Sequence, residues 1–169
     1  MKAAVKQNIV QTFHDLNEVF SSFSENEVNK TPYEGSWTAG QTVQHIILAG
    51  SGYPELFAGK TEKTTRNPEE KVKDIEALFL NFDIKMDAPI FLQPEKKEYH
   101  KKVLTEKLHK IEFDLLDSAE KYDLTLTCLD FQVPGFDKFT IYEWINFVLI
   151  HTKRHTNQLN KILKSIKKL

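Results

Sequence analysis

The sequence predicts an all-α protein, an up-and-down four-helix bundle with one additional short helix and irregular connections. Apolar residues recur every three or four positions in the segments that would form the long helices. Capping boxes precede two of the helical segments, and proline or glycine interrupts the chain between the segments. Because one core suffices for 169 residues, we expect a single domain spanning residues 1–169.

The charge balance argues against nucleic-acid and membrane partners. The chain holds 23 basic and 24 acidic residues, a net charge of −1, so no overall field attracts phosphate backbones or anionic lipid. The longest apolar stretch, residues 144–150, is far shorter than the roughly 20 residues of a membrane span. Cys128 is the single cysteine, and residues 1–4 do not resemble a secretory leader, so we expect a cytoplasmic protein.

The first half of the chain predicts two long helices. The first spans about residues 3–23, where one apolar stripe contains Val5, Ile9, Phe13, Leu16, Phe20 and Phe23. Thr38 and Gln41 form a capping box that opens the second helix, expected to reach about residue 59 and to be loosened near Gly50, Gly52 and Pro54. Most residues between 43 and 49 are apolar, so this helix should be deeply packed.

The second half predicts a short helix, a long connection and two more helices. Asn67 and Pro68 begin the short helix, with an apolar stripe from Val72 to Phe82. Residues 83–100 contain two prolines and should be irregular, with an extended piece around 88–92. A stripe from residue 104 to 119 predicts the next helix. Residues 124–129 alternate weakly, and the capping box of Thr140 and Glu143 opens the longest helix, which runs almost to the end.

The inward stripe of this last helix contains two histidines. Its members are Ile141, Trp144, Val148, His151, His155, Leu159, Ile162 and Ile166. Residues four apart lie one turn apart on the same helix face, so His151 and His155 could bind one divalent ion. The pair alone is a weak signal, and Thr152 stands where a zinc peptidase has its glutamate, which argues against peptidase chemistry.

His45 is the candidate third ligand, because a bundle would bring its apolar segment opposite the last helix. Three imidazoles with an open fourth position are typical of a catalytic zinc-type site. The alternative is that the three are core histidines, each hydrogen-bonded to a carbonyl or hydroxyl group. We expect the remaining histidines to be exposed and Cys128 not to be a ligand.

Other residues near these histidines have less specific roles. Gln41 and Gln158 lie one turn from His45 and His155 and are candidates for orienting a ligand. Arg154 could guide an anionic substrate, although a surface role is the simpler interpretation. The two tryptophans, Trp37 and Trp144, are expected to be core residues or helix staples.

Two segments carry a family resemblance. Ser36-Trp37-Thr38-Ala39-Gly40-Gln41-Thr42-Val43-Gln44-His45 resembles the segment leading to the first histidine of the DinB-like (DinB/YfiT) superfamily. Residues 140–144, followed by His151-Thr152-Lys153-Arg154-His155-Thr156-Asn157-Gln158, resemble that family's last helix. The order of elements agrees over nearly the whole chain.

The resemblance implies a four-helix bundle, often dimeric, that binds zinc, nickel or iron through His45, His151 and His155. Related proteins include thiol-dependent S-transferases and a mycothiol-dependent isomerase, so it also implies a low-molecular-weight thiol as cosubstrate. We therefore expect a homodimeric metal-dependent enzyme in which a thiol or water attacks a small electrophilic substrate, as in an S-transferase or a hydrolase. The alternative is a non-catalytic helical metal-binding or stress-related binding module. No motif selects a thiol or acceptor, and the residues assign no general acid or base.

Overall fold

Helices dominate the computed structural model, which describes residues 1–167. In chain order the elements are α1 (Lys2–Ser21), α2 (Glu25–Val28), α3 (Ala39–Gly50), α4 (Tyr53–Ala58), β1 (Thr61–Lys63), α5 (Val72–Phe79), a 3₁₀ helix (Ile90–Leu92), α6 (Lys101–Lys121), β2 (Leu126–Cys128) and α7 (Ile141–Lys167). Helices α1 and α3 each pack against both α6 and α7. The prediction of an all-α bundle is confirmed.

The predicted apolar stripes form the core of the bundle. Every stripe residue of α1 is buried, and so is the stripe of α6. Helix α7 buries almost its whole inward face, including Trp144. Within residues 1–167, no helix combines the length and the apolar character that crossing a bilayer requires.

Both predicted capping boxes are present, and they begin the two helices that carry the histidine candidates. The Thr38 hydroxyl accepts a 3.1 Å hydrogen bond from the Gln41 N–H, and Gln41 Oε1 accepts one of 3.0 Å from the Thr38 N–H. Thr140 and Glu143 make the same pair of contacts at 3.1 and 2.9 Å. A further capping box at Ser24 opens α2, which the sequence analysis did not predict.

Three element boundaries differ from the predictions. The helix expected to reach residue 59 is divided into α3 and α4, because Gly52 adopts a left-handed φ of 86°. The short helix begins at Val72 instead of Pro68 and ends at Phe79, so Phe82 lies beyond it and is exposed. The extended piece expected around residues 88–92 is a 3₁₀ helix.

A small antiparallel sheet joins the two halves of the chain. Thr61 of β1 pairs with Cys128 of β2, the segment where the sequence alternates weakly. Cys128 is fully buried, and burial together with the nearby Asp130 carboxylate raises the pKa of its thiol to about 12. The thiol therefore stays protonated near neutral pH.

A buried ion pair fixes the start of α7. The Arg66 guanidinium donates two 2.6 Å hydrogen bonds to the carboxylate of Glu143, which is fully buried. The Lys71 N–H donates to the same carboxylate at 2.9 Å, and the Thr140 hydroxyl donates to the Pro68 carbonyl at 2.6 Å. These contacts attach residues 66–71 to the first turn of the helix that carries His151 and His155.

Candidate metal centre

Three histidine rings meet between α3 and α7. The Nε2 atom of His151 lies 3.1 Å from Nε2 of His45 and 3.1 Å from Nε2 of His155. One ligand atom from each of the three lies within 4.8 Å of the other two. The structure thus brings together the three residues that the sequence singled out. His14, His100 and His109 are exposed, as predicted.

Helix geometry explains this convergence. His151 and His155 are one turn apart on the inward face of α7, whose start is fixed by its capping box and the Arg66 ion pair. His45 lies on α3, which packs against α7. Only 3% of His45 and 9% of His151 is exposed, whereas His155 is half-buried.

The partners of the outer ring nitrogens determine which tautomers are present. His45 Nδ1 lies 2.8 Å from the Leu92 carbonyl oxygen, which can only accept a hydrogen bond. The proton of His45 is therefore on Nδ1, and its Nε2 presents a lone pair. His155 Nδ1 lies 2.8 Å from Gln158 Oε1, so the same assignment holds for His155.

Two lone pairs consequently face the Nε2 atom of His151. A neutral His151 can donate a proton to His45 or to His155 but not to both. If the three residues were ordinary core histidines, the hydrogen bond of His45 Nδ1 would be explained. The three Nε2 atoms, however, would share at most one proton and would therefore include more hydrogen-bond acceptors than donors. Such a convergence of acceptors fits a cation.

Burial keeps the imidazoles neutral. Burial, reinforced by His155, His45 and Arg154, holds the pKa of His151 well below its usual value of 6.5. Burial also lowers the pKa of His155 to about 3 and lowers the pKa of His45, for which the Leu92 carbonyl partly opposes the shift. Neutral imidazole is the form that binds a metal ion.

The spacing of the three nitrogens suits a divalent transition metal. Ligand nitrogens at the usual zinc distance in a tetrahedral site are separated by about 3.3 Å, close to the 3.1 Å of both His151 contacts. Among residues 1–167, the cluster of side chains that could hold an ion has these three members. The set could hold a divalent metal and would leave a coordination position for another molecule.

The histidines open into a cleft of about 1660 Å³ that is lined largely by aromatic and aliphatic side chains. The Trp37 ring centroid lies 5.1 Å from that of His45, and the Phe147 ring is nearly parallel to His151 at 6.2 Å. Trp37 is half-buried and lines this cleft, so it is not a core residue. It directly precedes the N-cap Thr38, so the alternative expectation of a helix staple stays a prediction. Trp144 is buried as predicted.

Contacts that were not predicted from the sequence attach the cleft wall to α7, the helix that carries His151 and His155. The Arg154 guanidinium donates to the backbone carbonyls of Phe79, Asn81 and Ile84 at 2.8, 3.0 and 2.5 Å. Arg154 therefore holds the segment after α5, a role that neither interpretation from the sequence included. Gln158 contacts His155, whereas Gln41 contributes to the cap of α3.

The fold and the site define a class: an all-α bundle whose second and last long helices share a three-histidine cluster that opens into an apolar cleft. The model of the DinB superfamily matches residues 8–159, so the chain belongs to this superfamily. The resemblance identified in the sequence is thereby confirmed. No curated protein and no solved structure was found to match the chain.

Proposed function

We propose that the protein is a metal-dependent enzyme in which His45, His151 and His155 hold a divalent ion, with zinc, nickel and iron as the candidates. In the proposed reaction, a low-molecular-weight thiol gives its proton to solvent and its sulfur bonds to an electrophilic carbon of a small molecule. The bond from that carbon to its leaving group then breaks, or, where the carbon belongs to an activated double bond, the adjacent atom takes a proton from solvent. The observation that carries the proposal is the convergence of three neutral imidazoles through their Nε2 atoms. The superfamily membership agrees with it.

The chain contributes a ligand set that needs little rearrangement to receive an ion. The Leu92 carbonyl and the Gln158 side chain each hold one Nδ1–H, so the Nε2 lone pairs of His45 and His155 already face the same point. His45, His151 and His155 would hold a divalent ion there, and the bound ion would supply Lewis acidity that lowers the pKa of a coordinated thiol or water.

The polar residues of the cleft favour a thiol over water as the nucleophile. The carboxylates among the residues that line the cleft, Glu34 and Asp87, are both exposed. Water, with an unperturbed pKa of about 15.7, must lose a proton to become a good nucleophile, for which a positioned base is usual. A thiol with an unperturbed pKa of about 8.5 needs much less assistance near neutral pH.

The exposure of both carboxylates among the described residues that line the cleft also supports a second candidate, a metal-binding or stress-related binding module without turnover. Both candidates require the metal site, whereas only the enzyme converts a substrate. We further propose a cytoplasmic homodimer. The family resemblance supports the dimer, which sedimentation equilibrium tests, and a single cysteine agrees with the proposed cytoplasmic location.

Elemental analysis and titration of tag-free protein test the metal site. We expect close to one equivalent of transition metal, which His155→Ala should lose and the exposed-site control His14→Ala should retain. The site would be refuted if the purified protein contained only traces of transition metal and if titration gave the same metal affinity for the parent and His155→Ala.

Thiol-dependent conversion of a chromogenic electrophile separates the enzyme from the module. We expect the metal-loaded protein to accelerate the reaction and His45→Ala to reduce the rate to that of the uncatalysed reaction. A rate equal in the parent and in His45→Ala would assign the conversion to background chemistry and favour the module.

A further inference from the structure

Exposed apolar side chains are concentrated at the cleft. Of the eleven large apolar residues that are exposed in residues 1–167, six line it. These six are Tyr33, Leu78, Phe82, Ile84, Phe91 and Phe131. Apolar groups left in water in one concave region cost solvation free energy and indicate a ligand site.

Aromatic rings follow one another from the histidines along α7. Phe147 stacks on His151 with ring centroids 6.2 Å apart, and Trp144 lies 5.7 Å from Phe147. Phe131 lies 5.8 Å from Trp144 and is half exposed. We call Phe147, Trp144 and Phe131 the aromatic row.

The row has a definite length and direction. Trp144, Phe147, His151 and His155 recur at spacings of three and four, which places them on one face of α7. The separation of seven positions from Trp144 to His151 corresponds to about 10 Å of helix. A ligand with one end at the histidines can therefore extend past the half-buried Phe147 towards the half-exposed Phe131, while the buried Trp144 packs against both of these rings.

The charges near the histidines indicate the chemistry of the ligand's head group, the end that lies at the histidines. Three neutral imidazoles leave the charge of a divalent ion uncompensated, and the carboxylates that line the cleft, Glu34 and Asp87, are both exposed. An anionic or electron-pair-donating head group is favoured at this position.

We propose that the cleft binds an elongated apolar small molecule, with a metal-binding head group at the histidines and a hydrocarbon or aryl body along the aromatic row. The head group rests on the proposed function, whereas the body rests on the row alone. The cleft volume of about 1660 Å³ exceeds the roughly 300–1000 Å³ of typical small-molecule sites, which leaves room for a thiol beside this molecule.

A series from acetohydroxamic to octanohydroxamic acid tests the inference on zinc-loaded protein. Trp37 is half-buried and lines the cleft beside His45, so quenching of tryptophan fluorescence reports binding. Each added methylene should tighten binding by up to about fourfold. Phe131→Ala should weaken the binding of octanohydroxamic acid and leave the binding of acetohydroxamic acid unchanged. Phe113→Ala, which removes an exposed phenyl group outside the cleft, should change the affinity of neither compound.

Nile red, an uncharged apolar dye, probes the row without a metal. We expect it to bind chelator-treated protein and His155→Ala, and to bind Phe131→Ala more weakly. If Nile red binds but acetohydroxamic acid does not, the proposed metal site is refuted and the proposed apolar binding site along the aromatic row is supported. Hydroxamate affinity that is independent of chain length, together with no dye binding, overturns the inference while the metal centre stands.

A second copy of the chain is the competing occupant of these exposed apolar residues. Sedimentation of ligand-free protein distinguishes the two. An oligomer that Phe131→Ala dissociates and Phe113→Ala preserves would overturn the inference. A state of association equal in both variants supports a small molecule as the occupant.

Discussion

His45 and His151 are separated by 106 positions in the chain, yet their Nε2 atoms lie 3.1 Å apart in the interior. Their outer ring environments differ, because His45 Nδ1 donates to the Leu92 carbonyl whereas His151 is surrounded mainly by aromatic rings. The proximity of two neutral imidazoles in a buried position links metal binding, stability and pH dependence.

Metal binding should stabilise the folded protein. An ion that binds only the folded state at a hundred times its dissociation constant adds about 2.7 kcal/mol to the free energy of unfolding. Calorimetry of zinc-loaded and chelator-treated protein should therefore give a higher Tm for the loaded form. We expect His45→Ala to abolish the difference and His14→Ala to keep it. The same Tm with and without zinc in the parent protein would contradict the prediction.

The metal-free protein should become less stable in acid. The pKa of His155 is about 3 in the folded protein and near 6.5 when unfolded, so between these values the unfolded state binds the additional proton. Stability is therefore full above about pH 6.5 and declines as the pH falls towards 3.

Urea midpoints measured between neutral pH and pH 4 provide the test. Carboxylates contribute to acid unfolding in every variant, so the informative quantity is the difference between the parent and His155→Gln. We expect a shallower decline in the variant, and parallel curves would count against neutral burial of His155.

Loss of the Gln158 contact should weaken metal binding without removing a ligand. Partners that orient a metal-binding histidine typically change affinity by about 10- to 100-fold. We expect Gln158→Ala to lower zinc affinity by about tenfold, and Gln158→Glu, which keeps an acceptor for His155 Nδ1, to restore most of it. Competition with a chelating indicator measures both, and the exposed Gln7→Ala serves as the control. Equal affinity in Gln158→Ala and the parent would exclude this role.

The Arg66–Glu143 pair should be important for stability. Removing one partner of a buried ion pair leaves an unpaired charge and costs about 3–5 kcal/mol, whereas an exposed pair contributes at most about 1 kcal/mol. Because Arg66 is partly exposed, we expect Arg66→Ala to lower the free energy of unfolding by about 3 kcal/mol. The control Lys6→Ala breaks the exposed bridge to Glu120 and should have little effect in the same urea titration. Similar losses in the two variants would show that burial of Glu143 is less costly than we infer.

The histidine set was predictable because local rules determine it. Capping boxes at Thr38 and Thr140 locate the starts of α3 and α7, and the helical period then places His45 and His151 on inward faces. The packing of α3 against α7 was inferred from the bundle and from the family resemblance. The three-residue cluster in the structure agrees with that inference.

The surroundings of the histidines were not predictable from the sequence. The segment between α5 and α6 has no helical period, and its position depends on contacts to Arg154 and His45 that span 47 to 75 positions. Backbone carbonyls are the acceptors in these contacts, so no residue type in the segment signals them. The division of the second helix had a weak signal in Gly52, whose left-handed conformation the sequence permits but does not require.

The attachment of residues 79–92 has a consequence for how the protein responds to its ligands. Arg154 donates hydrogen bonds to backbone carbonyls at one end of this segment, and His45 donates one to the Leu92 carbonyl at the other end. A rotation of the His45 imidazole that broke its hydrogen bond to Leu92 would remove one of the two attachments of this segment. If binding of an ion fixes the His45 ring, it also favours the attached position of residues 79–92, and a molecule that stabilises this position would by reciprocity favour ion binding.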